Sequence, residues 1–236
     1  MKIGVISEGH ADRAVITNII TGLTGIDRNN IEAIRPIYNY DETDKALINT
    51  KAFSTWSVVK EECEKRELID GFLAFEGQDF VVIHIDTAEA EMYGIKRPDK
   101  SSDAYCEELR ELVVKQINAW LKVEMSDQIL YAVAIEEIDA WILTIYDQND
   151  SSTSAKPKEK LGRILGKKGI NSTSNYDNFL VISKPLSKEK EIKRGKFLSY
   201  NCSLNAFFEE VKAKVLPKLQ NLMKVYHLIS FKVYHF

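Results

Sequence analysis

Residues 80–85 (FVVIHI) constrain the fold more than any other segment of the sequence. They form a short, compact run of apolar and β-branched residues, which is the pattern of a strand buried on both faces of a parallel sheet. Similar runs occur earlier, at residues 2–7 (KIGVIS), and later, at residues 129–135 (ILYAVAI). Amphipathic segments of helical length separate the three runs. The sequence therefore predicts an α/β domain with a mostly parallel sheet flanked by helices.

Other segments give weaker predictions of secondary structure. Residues 34–38 predict a second strand that is either at the sheet edge or bent, because Pro36 cannot donate a ladder hydrogen bond. Residues 204–215 predict a closing helix that Pro217 interrupts. The alternating segment 230–236 (SFKVYHF) predicts an edge strand.

Charge is distributed unevenly along the chain. Residues 1–150 hold 15 Lys and Arg against 29 Asp and Glu, whereas residues 151–236 hold 17 against 6, so the net charges are −14 and +11. Such asymmetry suggests a polyanion or a metal as partner, although the lysines could also only solubilise the C-terminal helices. We place a boundary in the polar segment 147–155. It separates an α/β core over residues 1–150 from a basic, mainly helical C-terminal extension over residues 151–236.

Composition and cysteine usage narrow the class of protein. With 44% hydrophobic and 28% charged residues, the chain has the composition of a globular protein and not of collagen, a coiled coil or a disordered chain. Cys63, Cys106 and Cys202 are widely spaced, which predicts neither a disulfide framework nor a cysteine zinc site. No segment approaches the ~20 apolar residues of a membrane span. We expect a soluble, cytoplasmic protein.

Each of the three predicted strands is directly followed by one or two acidic residues. Glu8 follows the first, Asp86 the second, and Glu136 and Glu137 the third. The carboxyl ends of parallel strands share one edge of the sheet, so these side chains are expected to converge. Clustered carboxylates repel one another unless a divalent cation neutralises them, and oxygen ligands favour Mg²⁺ or Mn²⁺. Taken singly, Glu8 and Asp86 could instead be helix N-caps.

The first two acidic segments resemble the TOPRIM fold that topoisomerases, bacterial primases and OLD-family nucleases share. These segments are EGHAD at residues 8–12 and IHIDT at residues 83–87. The resemblance implies that Glu8, Asp12 and Asp86 bind Mg²⁺ or Mn²⁺ for phosphoryl transfer.

The chain departs from this family at position 88. Ala88 stands where the family has the second aspartate of a DxD motif, so the resemblance leaves the remaining metal ligand open. The candidates for it are Glu89, Glu91, Glu137 and Asp139.

A closer likeness is to small bacterial TOPRIM-like proteins that occur with ATPases in phage-defence operons. Residues 137–141 (EIDAW) resemble their acidic motif, and residues 156–158 (KPK) and 199–208 resemble their tail. The likeness implies a metal-dependent nuclease in phage defence, with nucleic acid as substrate and an ATPase as partner. It leaves a homo-oligomer open.

Three further side chains are candidates for catalysis. His10 lies in the turn after the first strand, where it could relay a proton or orient water. Lys184 is a candidate cation for the transition state, as is Lys156, among many lysines of the basic half. His84 lies inside an apolar run and is interpreted as a core histidine.

The alternative to a nuclease is a non-catalytic TOPRIM module that binds nucleic acid or a partner protein, which the alanine at position 88 favours.

Overall fold

The computed structural model describes residues 1–36, 55–123 and 126–233, and from residue 225 onward the backbone alone. Four strands form one sheet in the order β2-β1-β3-β4, and every neighbouring pair is parallel. The strands are β1 (Lys2–Ile6), β2 (Ile31–Arg35), β3 (Gln78–Asp86) and β4 (Ile129–Ala134). Helices cover the sheet and form the C-terminal part. The predicted α/β fold is therefore confirmed.

Helices connect the strands and continue after β4. They are α1 (His10–Thr24), α2 (Thr55–Lys65), α3 (Glu67–Leu73), α4 (Tyr105–Leu121), α5 (Asp139–Tyr146), α6 (Pro157–Lys167), α7 (Tyr176–Ile182), α8 (Glu189–Gly195) and α9 (Cys202–Val233). Short 3₁₀ turns lie at Arg28–Asn30, Ala90–Tyr93, Lys184–Ser187 and Phe197–Tyr200.

Two hydrophobic clusters sandwich the sheet. Side chains alternate along β3, so that Phe80 and Val82 face one cluster while Val81 and Ile83 face the other. Helices α1 and α5 to α9 cover the first face, and α2 to α4 cover the second. Helices on both faces explain why the strands are apolar throughout and do not alternate with polar residues. The segments before and after residue 150 share the first cluster.

The order of the strands creates a switch point at the centre of the sheet. The chain runs from β1 to β2 on one side and then crosses to β3 on the other, so β1 and β3 are neighbours. In open parallel sheets, a crevice forms at such a point beyond the carboxyl ends of the strands. Glu8 and Asp86 follow or end these two strands, and the fold therefore brings them to this crevice.

The C-terminal part differs from the prediction. Helix α9 continues through Pro217 to Val233, so the predicted interruption and the predicted strand over residues 230–233 are wrong. Residues 234–236 lie outside the described part, as do residues 37–38 of the predicted second strand. Val215 is buried and Leu219 packs on the same cluster, so burial on both sides of Pro217 offsets the lost hydrogen bond.

The cysteines also differ from the prediction. Cys106, near the start of α4, and Cys202, the first residue of α9, form a disulfide with a Cα–Cα distance of 6.6 Å. The two positions are 96 residues apart in the sequence, so their spacing gives no sign of the contact. Cys63 is buried and free. Within the described ranges, none of the helices combines the length and apolar character of a membrane-spanning segment.

Candidate metal centre

Glu8 links the ends of the two central strands. It follows β1, and its Oε1 accepts a hydrogen bond of 2.7 Å from the backbone N–H of Asp86. The N-cap of α1 is Gly9, so Glu8 does not have the capping role that was left open for it. Its carboxylate lies at the switch point between β1 and β3.

Asp12 lies in the first turn of α1. Its Oδ2 accepts a 2.7 Å hydrogen bond from the backbone N–H of Gly9, which fixes the carboxylate beside the turn that carries Glu8. The motif of residues 8–12 therefore places two acids on one tight strand-to-helix connection, and the close approach is a property of the local sequence.

Asp86 ends β3 and lies against a buried histidine. His84 Nε2 is 3.3 Å from Asp86 Oδ1, and His84 Nδ1 is 4.0 Å from Asp12 Oδ2. His84 is fully buried, as predicted, and Trp141 packs edge-on against its ring. Both ring nitrogens and Asp86 Oδ1 lack a hydrogen-bond partner of good geometry within the described part of the chain. His84 is thus a core residue that contacts the acidic site.

The segment after β4 contributes two more acids, Glu137 and Asp139, at the start of α5. Asp139 is the first residue of this helix and is buried. The Oε2 of Glu137 accepts a 3.2 Å hydrogen bond from the backbone N–H of Lys158, so the start of α6 is held against the acidic loop. The C-terminal extension therefore supplies one wall of the site.

A cavity of about 590 Å³ joins these groups. It brings together most of the predicted site residues, namely Glu8, His10, Asp12, Asp86, Glu89, Glu137 and Asp139. The other lining residues include Trp56, Lys158, Ser174, Asn175, Tyr176 and Asp177.

Three predicted residues do not line this cavity. Glu91 forms an ion pair with Arg97, with Glu91 Oε1 2.7 Å from Arg97 Nε. Lys184 is exposed in a 3₁₀ turn, and Lys156 pairs with Glu159 at 3.0 Å. The basic side chain that lines the described cavity is Lys158 instead.

Burial and mutual repulsion raise the pKa values of the aspartates. Burial, opposed in part by His84 and reinforced by Asp86 and Glu8, raises the pKa of Asp12 to about 8. Burial and the charge of Glu8 likewise raise the pKa of Asp86 well above its usual range. Burial and Glu137 raise the pKa of Asp139 to about 6.

His10 is the histidine of the cavity wall. Burial, and then the nearby positive charge of Arg13, lower the pKa of its imidazole. A neutral imidazole can accept a proton or a hydrogen bond from water, so the environment of His10 suits the role that the sequence suggested.

The donor chemistry of the cavity fits Mg²⁺ or Mn²⁺. Its walls supply carboxylate oxygens, the ligands that these hard cations prefer, and a cation would relieve the repulsion that raises the pKa values. Within the described ranges, no three His, Cys, Asp or Glu side chains already stand in a liganding arrangement. The fit to a divalent cation therefore lies in donor type and charge alone.

Sequence reasoning missed four residues of this site. His84 was interpreted only as a core residue, and Lys158 was one of many lysines. Trp56 and Tyr176 lie in segments without a recognisable motif. A signal existed for His84 alone, since it stands two residues before Asp86 and therefore on the same face of β3.

Comparisons with known proteins show limited similarity. The chain is 27% identical to GTPase Der of Staphylococcus haemolyticus over 129 residues, which is 52% of this chain and 29% of that protein. It is 23% identical to GTPase Der of Listeria welshimeri over 199 residues, 79% of this chain and 42% of that protein. The chain thus spans less than half the length of these curated relatives. No family model and no solved structure matches it.

Proposed function

We propose that this chain is a Mg²⁺- or Mn²⁺-dependent nuclease that hydrolyses phosphodiester bonds. One observation carries the proposal. Seven carboxylates line a single cavity at the switch point of a parallel sheet, and three of them, those of Asp12, Asp86 and Asp139, have raised pKa values. Buried acids that only support a fold are usually paired with a protein cation, whereas perturbed acids in a cleft are typical of functional sites.

Each part of the cavity has a role in this proposal. Glu8, Asp12 and Asp86 would hold the metal, with a further acid from Glu89, Glu137 or Asp139. The bound ion supplies charge neutralisation at the reacting phosphate and lowers the pKa of a water.

The other polar walls act on the substrate directly. His10 orients the attacking water at the cavity wall. Lys158 holds a phosphate oxygen beside Asp139, where the lysine charge partly offsets the burial and the Glu137 charge that raise the pKa of this aspartate. The basic extension beyond the cavity contacts flanking phosphates.

Glu8→Gln tests the proposal. This change keeps the size of the side chain and removes the charge, so we expect cleavage of labelled DNA and RNA with Mn²⁺ to fall at least about 100-fold, since even outer-shell partners of metal ligands typically contribute 10- to 100-fold. Calorimetry of Mn²⁺ binding gives a readout that is independent of cleavage.

The matched control is Glu76→Gln. Glu76 is exposed in the turn before β3, at the opposite end of the sheet from the cavity. Its loss should change neither Mn²⁺ binding nor cleavage. Equal trace activity in the wild type and in Glu8→Gln would refute the proposal.

GTP hydrolysis is a second candidate, and the similarity to GTPase Der favours it. These 236 residues, however, contain no G-x-x-x-x-G-K-[ST] segment, the loop that wraps phosphates in such enzymes. The turn after β1 is acidic instead. GTP is therefore tested as a substrate beside the nucleic acids, and hydrolysis that persists in Glu8→Gln would favour this candidate.

A non-catalytic binding module is the third candidate. The described residues contain no preformed group of three metal ligands, which is the observation in its favour. Such a module tolerates Glu8→Gln and binds nucleic acid in a salt-dependent manner through the basic half.

The ATPase partner, the place in phage defence and the cytoplasmic location stay predictions from the sequence.

A further inference from the structure

Two aromatic rings line the same cavity as the carboxylates. Trp56, in the first turn of α2, packs against the hydrophobic cluster on the α2–α4 face of the sheet. Tyr176, the first residue of α7, packs against the cluster on the opposite face. The rings therefore come from opposite layers, and both line the cavity at the edge where the acids lie.

Contacts within the protein fix the position of both rings. The guanidinium of Arg13 lies over the ring of Tyr176, 4.4 Å from its centroid. The centroid of Trp56 lies 5.5 Å from that of Tyr93, and the Tyr93 hydroxyl donates a 2.9 Å hydrogen bond to the carbonyl of Asp86. Rings held in this way lose little conformational entropy when a ligand binds.

The chemistry around the rings suits a nucleotide. Aromatic side chains stack on nucleobases, each contact contributing about 1–3 kcal/mol, and they tolerate any base. Lys158, Ser174 and Asn175 line the same cavity and can contact phosphate and sugar.

We infer that Trp56 and Tyr176 form a stacking site for the bases of an unpaired nucleic-acid strand, beside the phosphodiester that the acids act on. This inference rests on the proposed function for the position of that phosphodiester. A base inside a duplex is stacked on both sides and paired, so it offers these rings no free face. The substrate class is therefore single-stranded nucleic acid or a frayed end.

The test compares two strands that differ only in their bases. Fluorescence anisotropy measures binding of a labelled deoxyadenosine hexamer and of an abasic hexamer of equal charge to the full chain. Titrations are run in EDTA and again with Ca²⁺. Stacking on two rings predicts at least about tenfold tighter binding of the base-bearing strand. A blunt-ended duplex with no unpaired loop should show no such gain, because it offers the rings no free base face.

Variants assign the effect to the rings. Trp56→Ala and Tyr176→Ala should each weaken binding of the base-bearing strand at least about fivefold and leave the abasic strand unaffected. Trp56→Phe keeps a ring and should retain most of the affinity. Phe75→Ala is the matched aromatic control, because Phe75 is 67% exposed and precedes β3 at the other end of the sheet.

Tryptophan fluorescence provides a second measurement. Trp120 and Trp141 are buried, so quenching by the base-bearing strand should come from Trp56 and disappear in Trp56→Phe. Equal affinity for the two strands, or no binding in either buffer, would overturn the inference.

The inference and the proposed function fail separately. Mn²⁺-dependent cleavage with no base-dependent binding refutes the stacking site and leaves the nuclease. Base-dependent binding that needs both rings, with no cleavage under any condition, refutes the nuclease and leaves the stacking site.

Discussion

Two groups of carboxylates lie near the same edge of the sheet, and the fold neutralises only one of them. In the first group, Arg97 Nη1 is 3.0 Å from Glu136 Oε1, and Lys100 Nζ is 3.1 Å from the same oxygen. Arg97 also pairs with Glu91 and donates hydrogen bonds to the carbonyls of Thr87 and Ala88. Glu91 and Glu136 therefore belong to a loop that ion pairs and hydrogen bonds hold in place.

The second group faces the cavity and consists of Asp12, Asp86 and Asp139. Within the described ranges, no lysine or arginine lies at ion-pair distance from any of them, and their pKa values are raised. The chain therefore neutralises acids where they hold its structure together. Leaving the aspartates without a lysine or arginine partner is what a site for an external cation requires.

Asp86→Asn and Glu136→Gln should have opposite effects, and this is the largest difference that we expect. Loss of the cavity carboxylate should reduce Mn²⁺-dependent cleavage at least about 100-fold. In EDTA, it should leave the free energy of unfolding unchanged or raised, because it removes a carboxyl group whose ionisation the folded state disfavours. Cleavage assays and urea unfolding measure the two effects.

Glu136→Gln removes the partner of Arg97 and Lys100. We expect the free energy of unfolding to fall by about 1–3 kcal/mol, the usual contribution of hydrogen bonds to charged groups. Mn²⁺ affinity should be retained. If Asp86→Asn destabilised the protein as Glu136→Gln does, the two groups would not differ in role.

Arg97→Gln should give the next largest effect, on stability. Arg97 is mostly buried, and its loss leaves Glu91 and Glu136 without this cation, so we expect a decrease of about 3 kcal/mol in the free energy of unfolding. Arg97→Lys keeps the charge but lacks the planar guanidinium group. Its free energy of unfolding should lie between those of Arg97→Gln and the wild type. A loss below about 0.5 kcal/mol would assign Arg97 to the class of weak surface pairs.

The stability of the metal-free protein should fall as pH rises, because the folded state raises the pKa of Asp12. The folded protein keeps a proton on Asp12 up to pH about 8, whereas the unfolded chain loses it near 3.8. The folded state then binds more protons between these values, so stability falls as pH rises through this range, by at most about 1.4 kcal/mol per pH unit for each proton.

Urea unfolding in EDTA at pH 5 to 8 measures this slope. Asp12→Asn should flatten it, and saturating Mn²⁺ should remove it by stabilising the ionised carboxylates. Stability that rises with pH in EDTA, and does so equally in Asp12→Asn, would contradict the raised pKa.

The sequence predicted the parts of this site that depend on local pattern. Residues 80–85 are apolar because helices cover both faces of β3, so the run identified a buried parallel strand. The ends of parallel strands meet at one edge, and this geometry brought Glu8 and Asp86 together without knowledge of the strand order. Asp12 was implied by the resemblance to OLD-family nucleases, and it lies near Glu8 because α1 begins at His10, directly after the turn.

Other parts depend on contacts that no local pattern contains. Glu136 and Glu137 are neighbours in the sequence, yet the first pairs with Arg97 and the second lines the cavity. Glu136 has a φ of 62°, a left-handed conformation that turns the chain between the two side chains. The disulfide between Cys106 and Cys202 joins helices that only the folded layers bring together.

Packing decides which lysine of the basic half lines the cavity, and the sequence pattern does not show it. Substitution of that lysine gives the smallest effect that we predict. Lys158 lines the cavity because Glu137 holds its backbone at the start of α6, whereas Lys184 is exposed outside the cavity. For a short oligonucleotide, Lys158→Ala should weaken binding about fivefold, the equivalent of about 1 kcal/mol for an exposed ion pair. It should also reduce the slope of log affinity against log salt by about one phosphate contact. Lys184→Ala is the matched control and should change affinity less than about twofold. If Lys184→Ala weakened binding more than Lys158→Ala, the phosphates would run along the outer surface of the extension and not into the cavity.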